Sequence, residues 1–197
     1  MKRAILLLPF AALLSSCATA IEKPDYELLL KDDTRELRKY DNLPVVSTPM
    51  GGMGERNDSF GKLFQYISGN NEGQQKVKMT SPVFMEGSAK DKAPAKSGTM
   101  SFLIPSKVAK AGTPAPTGRD VQLKQITGGT IATINFKGWR DERKREVAVE
   151  KLRVWVDSKG WKAKGEPFFA IYDPPWIPEL FRTNEVWLRV DTPEVKN

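Results

Sequence analysis

Alternating apolar and polar positions predict several short β-strands in the first half of the chain. They cover residues 26–30, 34–40, 45–50, 76–86 and 99–104. One stretch instead shows helical spacing, with apolar residues at i, i+3, i+4 and i+7, namely Phe60, Leu63, Phe64 and Ile67. We expect this helix to begin near Asn57 or Asp58 as its N-cap and to end at Gly69.

The second half repeats this order. Strands are predicted at 121–126 and 130–136, then a helix from the cap Asp141 to about Ser158, then strands at 168–172 and 185–190. The pattern β-β-α-β-β therefore occurs twice, over residues 34–104 and 121–190. It predicts an α+β fold with a pseudo-twofold axis, in which two helices flank an antiparallel sheet curved into a distorted barrel. A groove between the halves is the expected ligand position.

The first twenty residues have the pattern of an export signal. Lys2 and Arg3 precede an apolar run at 4–14 that is too short to span a bilayer. The following Leu14-Ser15-Ser16-Cys17 resembles the lipobox of bacterial lipoproteins. We therefore predict a signal peptide at 1–16, a lipidated tether at 17–25 and a folded domain at 26–191. A plain signal peptide cut after Ala18 or Ala20 is the alternative.

In the lipoprotein interpretation Cys17 carries a fatty acyl chain such as palmitate, and the protein is anchored in the cell envelope. Ala18 after this cysteine favours the outer membrane, with the domain facing the periplasm. Cys17 is the only cysteine of the chain, so the domain contains no disulfide.

The charge distribution and the residue counts argue against nucleic-acid binding and against a zinc-type metal site. The net charge is +7, but the basic residues are dispersed, and Asp141 and Glu142 interrupt the densest group at 140–145. Nucleic-acid binding requires a concentrated basic stripe, so we predict none. The chain has no histidine, and with Cys17 lipidated it has no thiol, so no zinc-type metal site is expected.

Several linked motifs resemble the SOUL haem-binding family. They are L-F-Q-Y-I-S-G-N-N at 63–71, K-V-K-M-T-S-P-V at 76–83, P-x-P at 114–116, Y-D-P-P-W-I-P at 172–178 and R-T-N-E-V-W-L at 182–188. The resemblance covers residues 26–190. It implies a fold of two βαββ-like halves, similar to gyrase-inhibitor-like ligand-binding domains. It also implies binding of haem or another porphyrin in some members.

The resemblance further implies where a tetrapyrrole would bind. An axial histidine is impossible here, but some members hold porphyrins in a shallow apolar groove beside the first helix, without a strong protein ligand. The matching residues are Met50, Met53, Phe60 and Phe64 for the macrocycle, and Arg56 or Lys62 for the propionates. The alternative is that Phe60, Phe64 and Ile67 form the core face of an amphipathic helix, with Arg56 and Lys62 on its solvated side. Met79 and Met85 carry thioethers that could in principle bind haem iron, but their strand spacing favours core residues.

A hydrolase is the second hypothesis. Gyrase-inhibitor-like domains often place a Glu and a Tyr in a central cleft, and Glu185 and Tyr172 on the last two strands match these positions. A buried Glu can act as a general base. The structural alternative is that Glu185 stabilises the turn into the last strand and Tyr172 fixes a loop. The sequence favours non-covalent ligand binding over catalysis.

Overall fold

Nine antiparallel strands form one sheet in the part of the chain that the computed structural model describes, residues 21–50, 56–87 and 98–192. The strands are β1 (Glu27–Asp32), β2 (Arg35–Tyr40), β3 (Leu43–Met50), β4 (Val83–Glu86), β5 (Gly98–Leu103), β6 (Gln122–Ile126), β7 (Gly129–Phe136), β8 (Lys162–Ile171) and β9 (Asn184–Asp191). The helices are α1 (Arg56–Ile67), α2 (Ser106–Ala111) and α3 (Glu142–Ser158), with a turn of 3-10 helix at Glu179–Phe181.

The strand order β1-β2-β7-β9-β8-β4-β5-β3-β6 reveals the internal symmetry. Strands β4 and β8 pair at the centre, and the order of strands from the two halves is mirrored on either side of them. The first strand of each half pairs with the other half, because β2 pairs with β7 and β6 pairs with β3. The predicted β-β-α-β-β repeat is therefore confirmed, with an exchange of strands between its halves.

The sheet is curled but open. Strands β1 and β6 are its two edges, yet Tyr40 of β2 and Ile126 of β6 belong to one apolar cluster. This cluster fills the concave face between the halves with large side chains that include Phe84, Phe168 and Trp187. The predicted α+β fold with a curved antiparallel sheet is confirmed, although the described strands do not close into a barrel.

Both long helices cover the convex face of the sheet. Helix α1 packs on β3 and β5, and α3 packs on β7, β8 and β9. The predicted inner face of α3 is confirmed, since Ala148, Leu152 and Trp155 are buried. The predicted cap is confirmed too, because the Asp141 side chain accepts a hydrogen bond from the backbone N–H of Lys144 at 3.3 Å.

The predicted strand at 76–86 is wrong in its first part. Only Val83–Glu86 joins the sheet. Before it, the side chains of Thr80 and Ser81 donate to the backbone carbonyls of Leu103 and Tyr172, at 2.7 and 3.0 Å. Pro82 has no N–H for a ladder hydrogen bond, so these side-chain bonds attach the segment instead. Strand β8 begins at Lys162, earlier than predicted, and continues through a register shift between Lys164 and Phe168.

Residues 21–26, which we call the N-terminal strap, lie against the domain. The backbone carbonyl of Glu22 accepts from the N–H of Ser81 at 2.9 Å. The Glu22 carboxylate accepts from the backbone N–H of Ser106 at 2.7 Å and also from the Ser106 hydroxyl. Part of the predicted tether is therefore held against the segment before β4 and the start of α2. Among the described residues, no helix is long and apolar enough to cross a membrane.

Candidate functional site

Two phenylalanines form an exposed aromatic pair on α1. Phe60 and Phe64 are 39% and 51% exposed, and their ring centres lie 6.2 Å apart with planes at 14°. Phe60 also makes an edge contact with Phe102 of β5, at 5.2 Å between ring centres. The pair is one helical turn apart, so both rings lie on the same side of the helix.

The pair lies beside the strip of α1 that contacts the sheet. That strip consists of Ser59, Leu63, Tyr66 and Ile67. Each phenylalanine follows a buried residue by one position, which rotates it about 100° around the helix axis. The alternative that all the apolar residues of α1 are core is therefore right for Ile67 and wrong for Phe64.

Three arginines form a cationic cluster near the beginning of α1. The guanidinium of Arg56 lies 5.9 Å from the ring centre of Trp139, and that of Arg145 lies 5.2 Å from the same ring. Arg145 also donates to the Trp139 carbonyl at 2.5 Å. Burial lowers the pKa of Arg56, and the charges of Arg145 and Arg140 lower it further. Burial lowers the pKa of Arg145, and the charges of Glu142, Asp141 and Glu146 oppose this effect, so carboxylates partly balance the cluster on its α3 side.

The structure brings Arg56 together with the aromatic pair. Arg56, Phe60 and Phe64 follow one another at i, i+4 and i+8 and so form one row along the helix, which we call the outer row of α1. Lys62 lies on the opposite side of α1, where its ammonium is 2.8 Å from the Asp120 carboxylate. Of the two basic residues considered for the propionates, Arg56 therefore lies in line with the aromatic pair and Lys62 does not.

The predicted methionines have different positions. Met50, at the end of β3, is half-buried and packs against the core beneath α1. Met79 and Met85 are also half-buried against apolar clusters, as expected for core residues. Met53 and Cys17 lie outside the described residues.

A cavity of about 120 Å³ lies on the Lys62 side of α1. It is lined by Lys62, Gln65, Tyr66, Asn70 and residues 118–121. Pockets for drug-sized ligands have volumes of roughly 300–1,000 Å³, so this cavity is too small for a porphyrin. A second, open depression of about 700 Å³ lies beyond the end of α1, but its lining carries no large apolar side chain: Ser68, Gly69, Asn70, Asn71, Gln74 and Thr117.

A buried ion pair lies on the concave face of the sheet, between β2 and β9. Arg38 donates to both oxygens of Glu185, at 2.8 and 3.0 Å. One of these oxygens also accepts from the Tyr172 hydroxyl at 2.8 Å and from the Trp187 indole N–H at 2.7 Å. The structure thus brings the predicted Glu185 and Tyr172 into direct contact.

The protonation of this cluster follows from its surroundings. Burial raises the pKa of Tyr172 well above its usual value, and the charge of Glu185 raises it further, so the phenol remains a donor. Burial disfavours the charged form of Arg38, but the hydrogen bond and charge of Glu185 outweigh this effect and raise its pKa. Four donors surround the carboxylate, as expected for a structural ion pair.

Sequence reasoning missed Arg38 and the role of Trp139. Arg38 is 147 positions from Glu185 in the chain, so no local pattern connects them. The signal that could have pointed to Arg38 is the alternation of Glu36, Arg38 and Tyr40, which places all three on one face of β2. In the described residues, no group of three acidic or metal-binding side chains is placed to hold a metal ion.

Comparisons with known proteins fit this fold. The model of the SOUL heme-binding protein family matches residues 21–189. The chain is 30% identical over 159 residues to Heme-binding protein 2 of Homo sapiens, covering 78% of this chain and 76% of that protein. It is 30% identical over 129 residues to Heme-binding protein 1 of Mus musculus, covering 64% and 67%.

A solved structure shares the architecture. The crystal structure of the EcmrR C-terminal domain aligns with a TM-score of 0.59 at 14% identity, covering 84% of this chain and 98% of that one. This likeness concerns the fold alone. With the family model matching nearly the whole described chain, the protein belongs to the SOUL heme-binding protein family.

Proposed function

We propose that this protein binds haem, or a similar flat hydrophobic ligand, non-covalently on the outer row of α1. The observation that carries the proposal is the exposed pair of Phe60 and Phe64 in line with Arg56 and its cationic cluster. A porphyrin combines an apolar ring with carboxylates at one edge. Aromatic rings pack against its face, and guanidinium groups bind its carboxylates through charge-assisted hydrogen bonds.

The residues present fit a particular mode of binding. The chain contains no histidine, so no imidazole can bind the iron. Met79 and Met85 pack against the core and do not line the outer row of α1. The side chains of the row would therefore hold the macrocycle by its faces and edge carboxylates, and the bound group would supply its own iron chemistry. Relatives at 30% identity carry the name heme-binding protein, which supports this ligand class.

Titration of the unlipidated domain with haemin tests the binding site. We expect a saturable Soret shift that Phe64→Asp weakens at least about tenfold, because a half-buried phenylalanine contact contributes roughly 1.5 kcal/mol. The matched control is Val154→Asp, which introduces the same charge at a 58% exposed apolar residue of α3. A spectrum identical to that of haemin in buffer, or equal weakening in both variants, would contradict the proposal.

The second part of the proposal is that the protein is an envelope lipoprotein anchored through Cys17, in the outer membrane and facing the periplasm. Its support is the sequence pattern of residues 1–17. Growth with radioactive palmitate should label the wild-type protein and leave Cys17→Ser unlabelled. Labelling that persists in this variant would refute the anchor without affecting the haem proposal.

Hydrolysis by Glu185 and Tyr172 is the weaker candidate function. A general base needs a lone pair that faces the substrate, whereas the Glu185 carboxylate already accepts four hydrogen bonds from side chains. Turnover of a panel of small esters and lactones that disappears in Glu185→Gln would favour a hydrolase. Turnover that this variant retains would exclude Glu185 as the base.

A further inference from the structure

The segment between β8 and β9, residues 172–183, presents an apolar tip. We call it the β8–β9 loop. Trp176, Leu180 and Phe181 are 78%, 73% and 69% exposed, which makes them the three most exposed large apolar side chains among the described residues. Exposed apolar groups concentrated in one loop are typical of a contact surface.

Internal hydrogen bonds hold the β8–β9 loop in this form. The buried side chain of Arg182 donates to the carbonyls of Ile177, at 2.6 Å, and Pro175. At the base of the loop, the N–H of Thr183 donates to the Asp173 carboxylate at 2.6 Å. The loop therefore has a defined shape and still keeps its apolar side chains out of the core.

The N-terminal strap passes the base of this loop. The ammonium of Lys23 lies 5.3 Å from the ring centre of Tyr172. Ser81 connects the two segments, since its N–H donates to Glu22 and its hydroxyl donates to the Tyr172 carbonyl. Cys17 precedes Ile21 by four residues, and an extended chain spans at most about 14 Å over that distance.

We propose that the β8–β9 loop is a second membrane contact, and that Trp176, Leu180 and Phe181 insert into the interfacial region of a phospholipid bilayer. The inference rests on the proposed lipid anchor, because an acylated Cys17 would hold this end of the domain at the membrane. Tryptophan and phenylalanine partition favourably to the level of the headgroups. An acyl chain together with a second apolar contact gives more stable attachment than either alone.

This contact would also orient the domain. The backbone N–H of Arg140 donates to the Glu179 carboxylate at 2.7 Å, so the loop lies beside the cationic cluster. Positive charge near the surface is attracted by anionic headgroups.

The test uses residues 17–197 with Cys17→Ser and vesicles of equal parts phosphatidylethanolamine and phosphatidylglycerol, so it depends neither on acylation nor on the apolar run at 4–14. Flotation measures binding, and brominated lipids that quench tryptophan fluorescence measure insertion. We expect Trp176→Ser/Leu180→Ser/Phe181→Ser to weaken binding at least about tenfold. The matched control replaces three exposed apolar residues elsewhere, Leu123, Val147 and Val154, by serine and retains binding.

Three outcomes would overturn the inference: no flotation of the Cys17→Ser protein, equal flotation of the loop variant, or fluorescence that brominated lipids do not quench. A concentration-dependent dimer that the loop variant loses, without vesicle binding, would assign the loop to a second copy of the chain instead. Circular dichroism of both triple variants checks the fold, and palmitate labelling reports separately on the anchor.

Discussion

Replacing Arg38 by methionine is expected to lower the free energy of unfolding by about 3–5 kcal/mol. The substitution keeps most of the side-chain volume but leaves the buried carboxylate of Glu185 without its counter-charge. Glu185 is 5% exposed and Arg38 is 7% exposed, so water compensates little. Tyr172 and Trp187 still donate to the carboxylate, but neither carries a charge.

A double-mutant cycle separates the ion pair from the packing around it. Glu185→Gln retains an acceptor for Tyr172 and removes the buried partner of Arg38, which keeps its second ion pair, with Glu36 at 2.7 Å. The double variant Arg38→Met/Glu185→Gln removes both charges at once. We therefore expect it to be less destabilised than the sum of the single variants, with a coupling free energy of about 2–3 kcal/mol.

Urea unfolding followed by tryptophan fluorescence and circular dichroism measures all four proteins. With a urea dependence of about 2 kcal/mol per molar, the Arg38→Met midpoint should fall by roughly 1.5–2.5 M. Coincident transitions from the two probes justify the two-state treatment. Additive effects within about 0.5 kcal/mol would show that the pair is not coupled, and the reasoning from burial would then be refuted.

Three further substitutions test smaller features of the fold. Burial raises the pKa of Glu36, but hydrogen bonds from Arg38 and Lys31 outweigh it and hold the pKa below its ordinary 4.5. The charged Glu36 carboxylate therefore stabilises the fold at pH values above 4.5. This stabilisation is lost as the pH falls through the lowered pKa. Glu36→Gln should cost about 1 kcal/mol at neutral pH and flatten the acid side of the stability profile, and an unchanged profile would contradict this. Asn71 is 3% exposed, and its side chain makes three hydrogen bonds to the backbone of Tyr66 and Gln75. Asn71→Ala should therefore lower the free energy of unfolding in urea by about 2–3 kcal/mol, and a loss below about 0.5 kcal/mol would argue against this. Asp141→Ala removes the cap of α3 and should cost about 1 kcal/mol, whereas Asp141→Ser should retain most of the stability.

Helix α3 shows what local pattern can predict. Its start follows from the capping chemistry of Asp141, and its inner face follows from the spacing of Ala148, Leu152 and Trp155. Each of these signals involves residues that lie close together in the chain. The order of secondary-structure elements was predictable for the same reason, and the β-β-α-β-β repeat followed from that order.

Helix α1 shows where the local pattern is insufficient. An apolar stripe at i, i+3, i+4 and i+7 is wider than the strip that a sheet can cover, so it does not say which edge remains exposed. The sheet covers Ser59 and Tyr66, which the apolar pattern omits, and leaves Phe64 half-exposed. Proximity of Arg56 to Trp139 depends on how the two halves pack, which sequence spacing does not encode.

The two faces of the sheet carry different kinds of residues, and this division explains where a ligand can bind. On the concave face, the charged groups of Arg38 and Glu185 pair with each other, and large aromatic side chains fill the space around them. A flat apolar ligand there would have to displace well-packed core residues. On the convex face, α1 presents aromatic surface that the sheet does not cover, in line with Arg56. Substitutions in the outer row of α1 should therefore change binding with little effect on stability, because the fold depends on the other face.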